Sequence, residues 1–290
     1  MKVHVIGAGK MGLPMAVHLR RGGHSVTVDD RDEARLELAR QAGLSVARGS
    51  GGLKVCDVVL SSLLDDAALR AVGEHVAKDA RSGTIYVDTS TVSLDASAQV
   101  AQAFEGTGVQ YLRTTVSGNN KMAEAAQLTV MASGSRATFD AALPLLKLLG
   151  PSQFWLGEGE QARLMKLVVN LMIAQTSAML SEALALGRKG GLQWQDMWDV
   201  IGSSAVGSPI VKAKGVQLSK RDFTPTFTVE QMLKDLGLIV GQAAASHVPV
   251  PQTAATLQLM QAALAQGHGS EDYAAIIKAV EHAAGLEGNP

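Results

Sequence analysis

Three groups of residues in this 290-residue chain have the types and spacing to do chemistry. The first is Gly7, Ala8, Gly9, Lys10, Met11, Gly12, which follows the apolar run VHVIG and matches GxGxxG. In such a loop the first glycine permits a tight turn, the second lets the backbone approach a pyrophosphate, and the third packs a helix on its strand. The helix N-terminus then offers free N–H groups to the anion. The pattern alone is weak in a chain with 30 glycines, but here a strand precedes it, a helix follows, and an acid ends the next strand. The second group is that acid, Asp30, with Arg31 beside it. A carboxylate there accepts from a ribose 2′-hydroxyl and repels a 2′-phosphate, which favours NAD. Arg31 could pair with such a phosphate, so NADP stays open; flanked by Asp29 and Asp32, the arginine reads as a solvated residue at the adenine edge. The third group is Lys166 with Asn170, on one helical stripe with Ile173 and Ser177. An ammonium there could protonate a developing alkoxide and take the proton back in reverse. A snorkelling lysine over a satisfied asparagine is the plainer alternative.

Other chemistries find little support. The seven histidines are scattered without HxxxH or CxxC spacing, so no metal site is expected. The single cysteine, Cys56, lies in the apolar run VCDVVL and reads as a core thiol in a reducing compartment, not a nucleophile. A net charge of −1, with no polybasic tract, gives no footprint for nucleic acid or anionic membrane. The N-terminus lacks the order of a signal peptide. The apolar stretch from Leu164 to Leu186 is long enough to span a bilayer but is interrupted by Lys166, Asn170, Gln175 and Glu182. A cytoplasmic protein with a small-molecule partner is the expectation.

The elements that must position these residues alternate strictly in the first half. Short β-branched runs at 3–7, 25–28, 55–60, 84–88, 109–112, 127–133 and 153–156 are separated, for the most part, by helical patterns such as 10–21, 32–42, 66–78 and 93–104. That alternation predicts a mainly parallel, doubly wound sheet with helices on both faces, an α/β Rossmann-like domain over 1–160. After about residue 157 the strand signal stops. Gln161 to Arg188 reads as one helix, roughly 40 Å long at 1.5 Å per residue, ended by the glycines at 187, 190 and 191. Further helical patterns at 194–202, 209–218, 229–246, 251–266 and 271–284 make 161–290 an all-α domain that begins with the long interdomain helix. Its remaining apolar face would suit a second subunit, so a homodimer or homotetramer is expected.

Taken together, GxGxMGxPMA at 7–16, DTST at 88–91, VSG at 116–118, the Lys166 and Asn170 pair, and KDL at 234–236 resemble the β-hydroxyacid dehydrogenase family. The resemblance runs over nearly the whole chain, in order. It implies NAD(P)-dependent interconversion of a small 3-hydroxy acid and its semialdehyde or ketone, with Lys166 as general acid/base. It further implies that Ser117 and Gly118 hold the substrate carboxylate, that Asn170 orients lysine and substrate, and that Lys234 reaches the site to contact cofactor or substrate. Leu63 and Thr91 would line the cofactor, Thr91 at the nicotinamide end.

The chain also departs from the family pattern. In RTTVSGNN at 113–120, Arg113, Thr115, Asn119 and Asn120 replace an acid, a proline, a glycine and its follower. Val169 replaces one of two asparagines, Leu64 a proline, and Glu160 and Ala162 thin the glycines before the lysine. Two amides beside Ser117 predict a substrate that is larger or carries an extra polar group, with Asn119 among its contacts. The alternatives are an imine reductase of the same architecture, in which the lysine is usually replaced, and a non-catalytic nucleotide-sensing Rossmann protein. Methyl transfer would leave the long helix with Lys166 unexplained.

Overall fold

The computed structural model describes residues 1–286. Eight strands form one sheet: β1 (Lys2–Ile6), β2 (Ser25–Asp29), β3 (Ser45–Val46), β4 (Val58–Ser61), β5 (Ile85–Asp88), β6 (Gln110–Ser117), β7 (Thr129–Ser133) and β8 (Ser152–Trp155), in the order β3-β2-β1-β4-β5-β6-β7-β8. The central strands β4 and β5, VVLS and IYVD, are buried at every position, as a parallel strand covered on both faces must be. Helices α1 (Gly12–Arg21), α2 (Glu33–Gln41), α3 (Asp66–Asp79), α4 (Leu94–Ala103), α5 (Asn120–Glu124) and α6 (Arg136–Leu146) lie between them.

The sheet is parallel from β3 to β6, but β7 runs antiparallel to β6, with Arg113 opposite Ser133 and Ser117 opposite Thr129. Only the short helix α5 separates the two strands, too little chain for a parallel crossover. Three elements lay outside the sequence expectation. β3 is two residues long, α5 five, and α6 carries Pro144 near its end, where the missing N–H costs one helical bond. The 271–284 pattern forms a 3₁₀ turn at Tyr273–Ala275 and then α12 (Ile276–Ala283).

Two cores sandwich the sheet. The side under α1, α2 and α6 is chiefly aliphatic, built on Val3, Val5, Met15, Leu19, Val28, Leu36 and Leu60. The other side is aromatic at its centre: Tyr86 stacks on Tyr111 at 5.4 Å, and Phe104 meets both edge-on. Cys56 is buried on this side, and burial pushes its thiol up to about 11, as an inert core thiol requires.

The helical part comprises α7 (Gln161–Lys189), α8 (Trp194–Ser203), α9 (Pro209–Ser219), α10 (Val229–Ala245), α11 (Pro251–Ala265) and α12, and no further strand follows β8 among the described residues. By internal contacts the chain divides into Met1–Lys166 and a second unit from Leu167 onward, so the first turns of α7 belong with the sheet. Leu180, Leu184, Met197, Trp198, Val211 and Ile277 form the core of the second unit. The entry of α10 is set by a capping box in which Thr228 and Gln231 satisfy each other's backbone N–H. Among the described residues α7 is the one helix long and apolar enough to cross a bilayer by length and composition, and 44% of its most apolar window is buried inside the protein. The same helix carries Arg163 and Asn170, both buried and hydrogen-bonded to protein groups.

Candidate active site

Strand order reverses between β1 and β4, the topological switch where doubly wound sheets bind ligands beyond the carboxyl ends of their strands. The loop from Gly7 to Gly12 occupies that position, leading from β1 into α1. Gly7 has φ +95°, and a Cβ there would meet the Ser62 carbonyl oxygen at 2.3 Å; a Cβ on Gly12 would meet the Gly7 carbonyl oxygen at 1.8 Å. Both glycines are demanded by the protein itself. Gly9 is different, since a Cβ there meets nothing nearer than Arg35 Nη1 at 3.8 Å. Its lack of a side chain answers to something outside the chain, as close approach of a pyrophosphate would require.

Helix α1 is suited to receive that anion. Helices α2 to α6 are capped at their N-termini by the side chains of Asp32, Asp65, Ser93, Asn119 and Ser135. In α1 the N-cap is Met11, no side chain caps it, and no acid lies in its first turn. The Leu13 N–H already bonds the Gly9 carbonyl at 3.1 Å and Pro14 has no N–H, so what this turn offers a ligand is the Gly12 N–H and the positive dipole end. Lys10 is exposed and Met11 half-buried in this loop.

Asp30, at the end of β2, is buried. Its Oδ2 accepts from the Ala8 N–H at 2.7 Å and its Oδ1 from the Asp32 N–H at 2.9 Å. The carboxylate thus braces the glycine loop as well as standing where a ribose would lie, and two bonds leave lone pairs for hydroxyl donors. Arg35 Nη1 is 3.6 Å from Asp30 Oδ2, and Arg31 is exposed.

The loops after β4, β5 and β6 end at the same edge, because all three strands run parallel to β1. Leu63 and Thr91, both half-buried, are the cofactor-lining candidates of the first two loops. Asp88 Oδ1 accepts from Ser61 Oγ and, at 2.6 Å, from Ser90 Oγ, which itself accepts from the Leu63 N–H at 2.8 Å. Ser117 ends β6, and exposed Gly118 follows with φ +137°, a turn that strains any other residue. Asn119 has a structural duty besides any contact with substrate, since its side-chain oxygen accepts the Met122 N–H as the cap of α5. Only its amide nitrogen is left as a donor. The side-chain oxygen of Asn120 is buried without a hydrogen-bond partner in the protein.

Lys166 is half-buried near the start of α7, in the first unit with the glycine loop, Leu63, Thr91 and Ser117. Asn170, one turn further along the helix, and Lys234 belong to the second unit. There they share Asp235 of α10: the Asn170 amide donates to Oδ2, and Lys234 Nζ lies 3.0 Å from Oδ1. Asp235 is 1% exposed; it holds Asn170 by a hydrogen bond and pairs its charge with Lys234. Sequence reading singled out the lysine of KDL but not this acid, although an Asp inside an otherwise apolar helical stripe is the signal that could have found it.

The departures from the family pattern compensate one another. Arg113 donates to Glu160 Oε1, and Thr115 Oγ1 donates to the Ala162 carbonyl at 2.9 Å. The pair Arg113 and Glu160 is 47 residues apart in the chain, which no local pattern reveals. No group of three metal-ligating side chains occurs among the described residues.

Comparison with known proteins agrees with this geometry. Residues 2–157 match the profile of the NAD binding domain of 6-phosphogluconate dehydrogenase, and residues 160–280 that of the NAD-binding region of NADP-dependent 3-hydroxyisobutyrate dehydrogenase. The chain is 31% identical over 285 residues to glyoxylate/succinic semialdehyde reductase 1 of Arabidopsis thaliana, covering 97% of this chain and 99% of that one. It is 32% identical over 291 residues to 2-(hydroxymethyl)glutarate dehydrogenase of Eubacterium barkeri, covering 99% and 97%. The structure of a Mycobacterium tuberculosis 3-hydroxyisobutyrate dehydrogenase with L-serine superposes with a TM-score of 0.88 at 28% identity, over 96% of this chain and 98% of that one. An imine reductase from a Pseudomonas species shares the fold at a TM-score of 0.65 and 23% identity, over 96% and 98%. With the glycine loop at the switch point, Asp30 bracing it and the lysine on the long helix, these matches over the whole chain place it in the β-hydroxyacid dehydrogenase family of NAD(P)-dependent oxidoreductases.

Proposed function

We propose that this chain interconverts a small 3-hydroxy acid and its semialdehyde or ketone with NAD in preference to NADP, on a substrate carrying a polar group beyond its carboxylate. The observation that carries the reading is Gly9, whose missing side chain nothing in the protein requires, at the uncapped start of α1. Bound at that loop, the nicotinamide cofactor supplies hydride acceptance or donation. The chain does the rest. The Ser117 hydroxyl and Gly118 N–H hold the carboxylate, and the Lys166 ammonium gives its proton to the carbonyl oxygen as reduction turns it into a hydroxyl. In the oxidative direction the lysine amine takes the hydroxyl proton.

The NAD preference is supported by Asp30, held by the N–H groups of Ala8 and Asp32 where a 2′-phosphate would meet its charge. The polar substrate is supported by the free amide nitrogen of Asn119 and the unpartnered oxygen of Asn120 beside Ser117. Initial rates with both cofactors over a panel of 3-hydroxy acids test both statements. A kcat/KM ratio for NAD over NADP above about ten, worth about 1.4 kcal/mol, is expected, with the best substrate bearing a second hydroxyl, amine or carboxylate. A preference for NADP, or for an aliphatic acid without such a group, contradicts the reading.

A second copy of the chain is the partner we assign to α7. Met172, Met179 and Leu186 recur at seven-residue spacing and are exposed by 63%, 49% and 76%. A repeat of that period makes a straight apolar seam that suits its own copy in a two-fold pairing. Light scattering should give twice the 30.3 kDa chain mass or a multiple of it. Met172→Lys with Met179→Lys should return the monomer, and a monomeric wild type would refute the assignment.

A further inference from the structure

Arg163 stands near the start of α7, three residues before Lys166, with its side chain wholly excluded from solvent. It belongs to the same unit as the sheet and meets the carboxyl edge of that sheet at several points. Its Nη2 donates to Oδ2 of the equally buried Asp88 and, at 3.0 Å, to the Tyr111 hydroxyl. Nη1 donates to the Ser90 carbonyl at 2.5 Å, and Nε to Ser97 Oγ at 3.3 Å. From Asp88 the chain of bonds continues through Ser90 Oγ to the Leu63 N–H. One guanidinium therefore grips the backbone immediately before Thr91 and, through Asp88 and Ser90, the backbone of Leu63.

A buried ion pair is weak evidence for stability, because well-packed apolar side chains of similar volume do as well. What apolar packing cannot supply is a fixed set of directions, and the rigid fork of an arginine supplies it. We propose that Arg163 is a positioning residue, which locks the start of α7, and with it Lys166 one turn on, to the loops that carry Leu63 and Thr91. The proposal rests on Lys166 being the acid/base. A proton donor in a transferring site must be held closely, since a misplacement of about 1 Å costs on the order of 10²-fold in rate.

The test is steady-state kinetics of Arg163→Lys, alone and combined with Lys166→Ala. Lysine keeps the charge beside Asp88 but cannot span Ser90, Ser97 and Tyr111 together. The single variant should lose about 10- to 100-fold in kcat while its KM for the cofactor stays within about threefold. In the Lys166→Ala background the same change should cost nothing further, because a residue that acts only through Lys166 has no effect in its absence. Wild-type kcat in Arg163→Lys overturns the proposal, and so does an equal fractional loss in both backgrounds. Wild-type turnover in Lys166→Ala alone would instead remove the acid/base reading, a separate outcome. Should Arg163→Lys fail to fold, Ser97→Ala deletes two hydrogen bonds of this network, those of Ser97 Oγ with Arg163 Nε and with the Tyr111 hydroxyl, and no charge. It should lower kcat about two- to tenfold at unchanged cofactor KM, and an unchanged kcat there overturns the proposal.

Discussion

Lys166→Ala should lower kcat by about 10²- to 10⁴-fold, the range of a positioned general acid, while cofactor affinity stays within about threefold of wild type. The split follows from where the residue stands. Lys166 is on α7, and the groups that can hold a dinucleotide are the Gly7 to Gly12 loop, Asp30 and the positive dipole end of α1, which are distinct elements of the same unit. Its loss removes a proton donor and leaves the cradle whole. The variant should also fold, because Lys166 is only half-buried and α7 gains helix propensity from alanine. Cofactor titration by fluorescence, beside turnover at saturating substrate, separates the two quantities. Equal losses in binding and turnover would mean that the lysine serves the cradle and not the proton.

The second large effect separates two glycines of one loop. Gly12→Ala should destabilise the fold by 3 kcal/mol or more, at or beyond the upper end of about 1–3 kcal/mol for overpacking, since its Cβ would lie 1.8 Å from the Gly7 carbonyl oxygen. Backbone cannot yield there as a side-chain tip can. Gly9→Ala meets only Arg35 Nη1 at 3.8 Å, so its thermal midpoint should stay close to wild type. Its cofactor affinity should nevertheless fall roughly five- to 150-fold, the equivalent of about 1–3 kcal/mol for a methyl placed against a ligand that needs the backbone bare. Thermal unfolding without cofactor and titration with it measure the two effects independently. A Gly9→Ala protein that binds as wild type would show that no pyrophosphate approaches that residue.

These contrasts also show what a linear reading can reach. GxGxxG, with a strand before it and Asp30 after the next one, is a local pattern with a local mechanism, and the loop stands at the switch point that pattern predicts. The long helix was legible for the same reason, as an unbroken apolar run without proline, and it spans Gln161–Lys189. The reversal at β7 was not legible, because strand direction depends on how much chain the connection holds, and α5 is too short to give a periodic signal. Nor were the partners of the altered loop. Arg113 and Thr115 look like losses when read alone, and become paired with Glu160 and Ala162 only once the start of α7 is packed beside β6. Arg163 is the sharpest case. The reading of the long helix did not single it out, yet it is fully buried, because its partners Asp88, Ser90, Ser97 and Tyr111 lie 52 to 75 residues earlier in the chain.

Proton and electrons are expected to move on one chain, between a 3-hydroxy acid and a nicotinamide held at the Gly7 to Gly12 loop. The most direct measurement is the absorbance of reduced cofactor formed when the purified protein is mixed with NAD and a panel of 3-hydroxy acids, with Lys166→Ala alongside. Steady formation with at least one acid is expected, and a loss of about two to four orders of magnitude in the variant. Tight binding of NAD with no reduced cofactor from any acid, in either direction, would contradict it and leave a Rossmann protein that senses the nucleotide without turning it over.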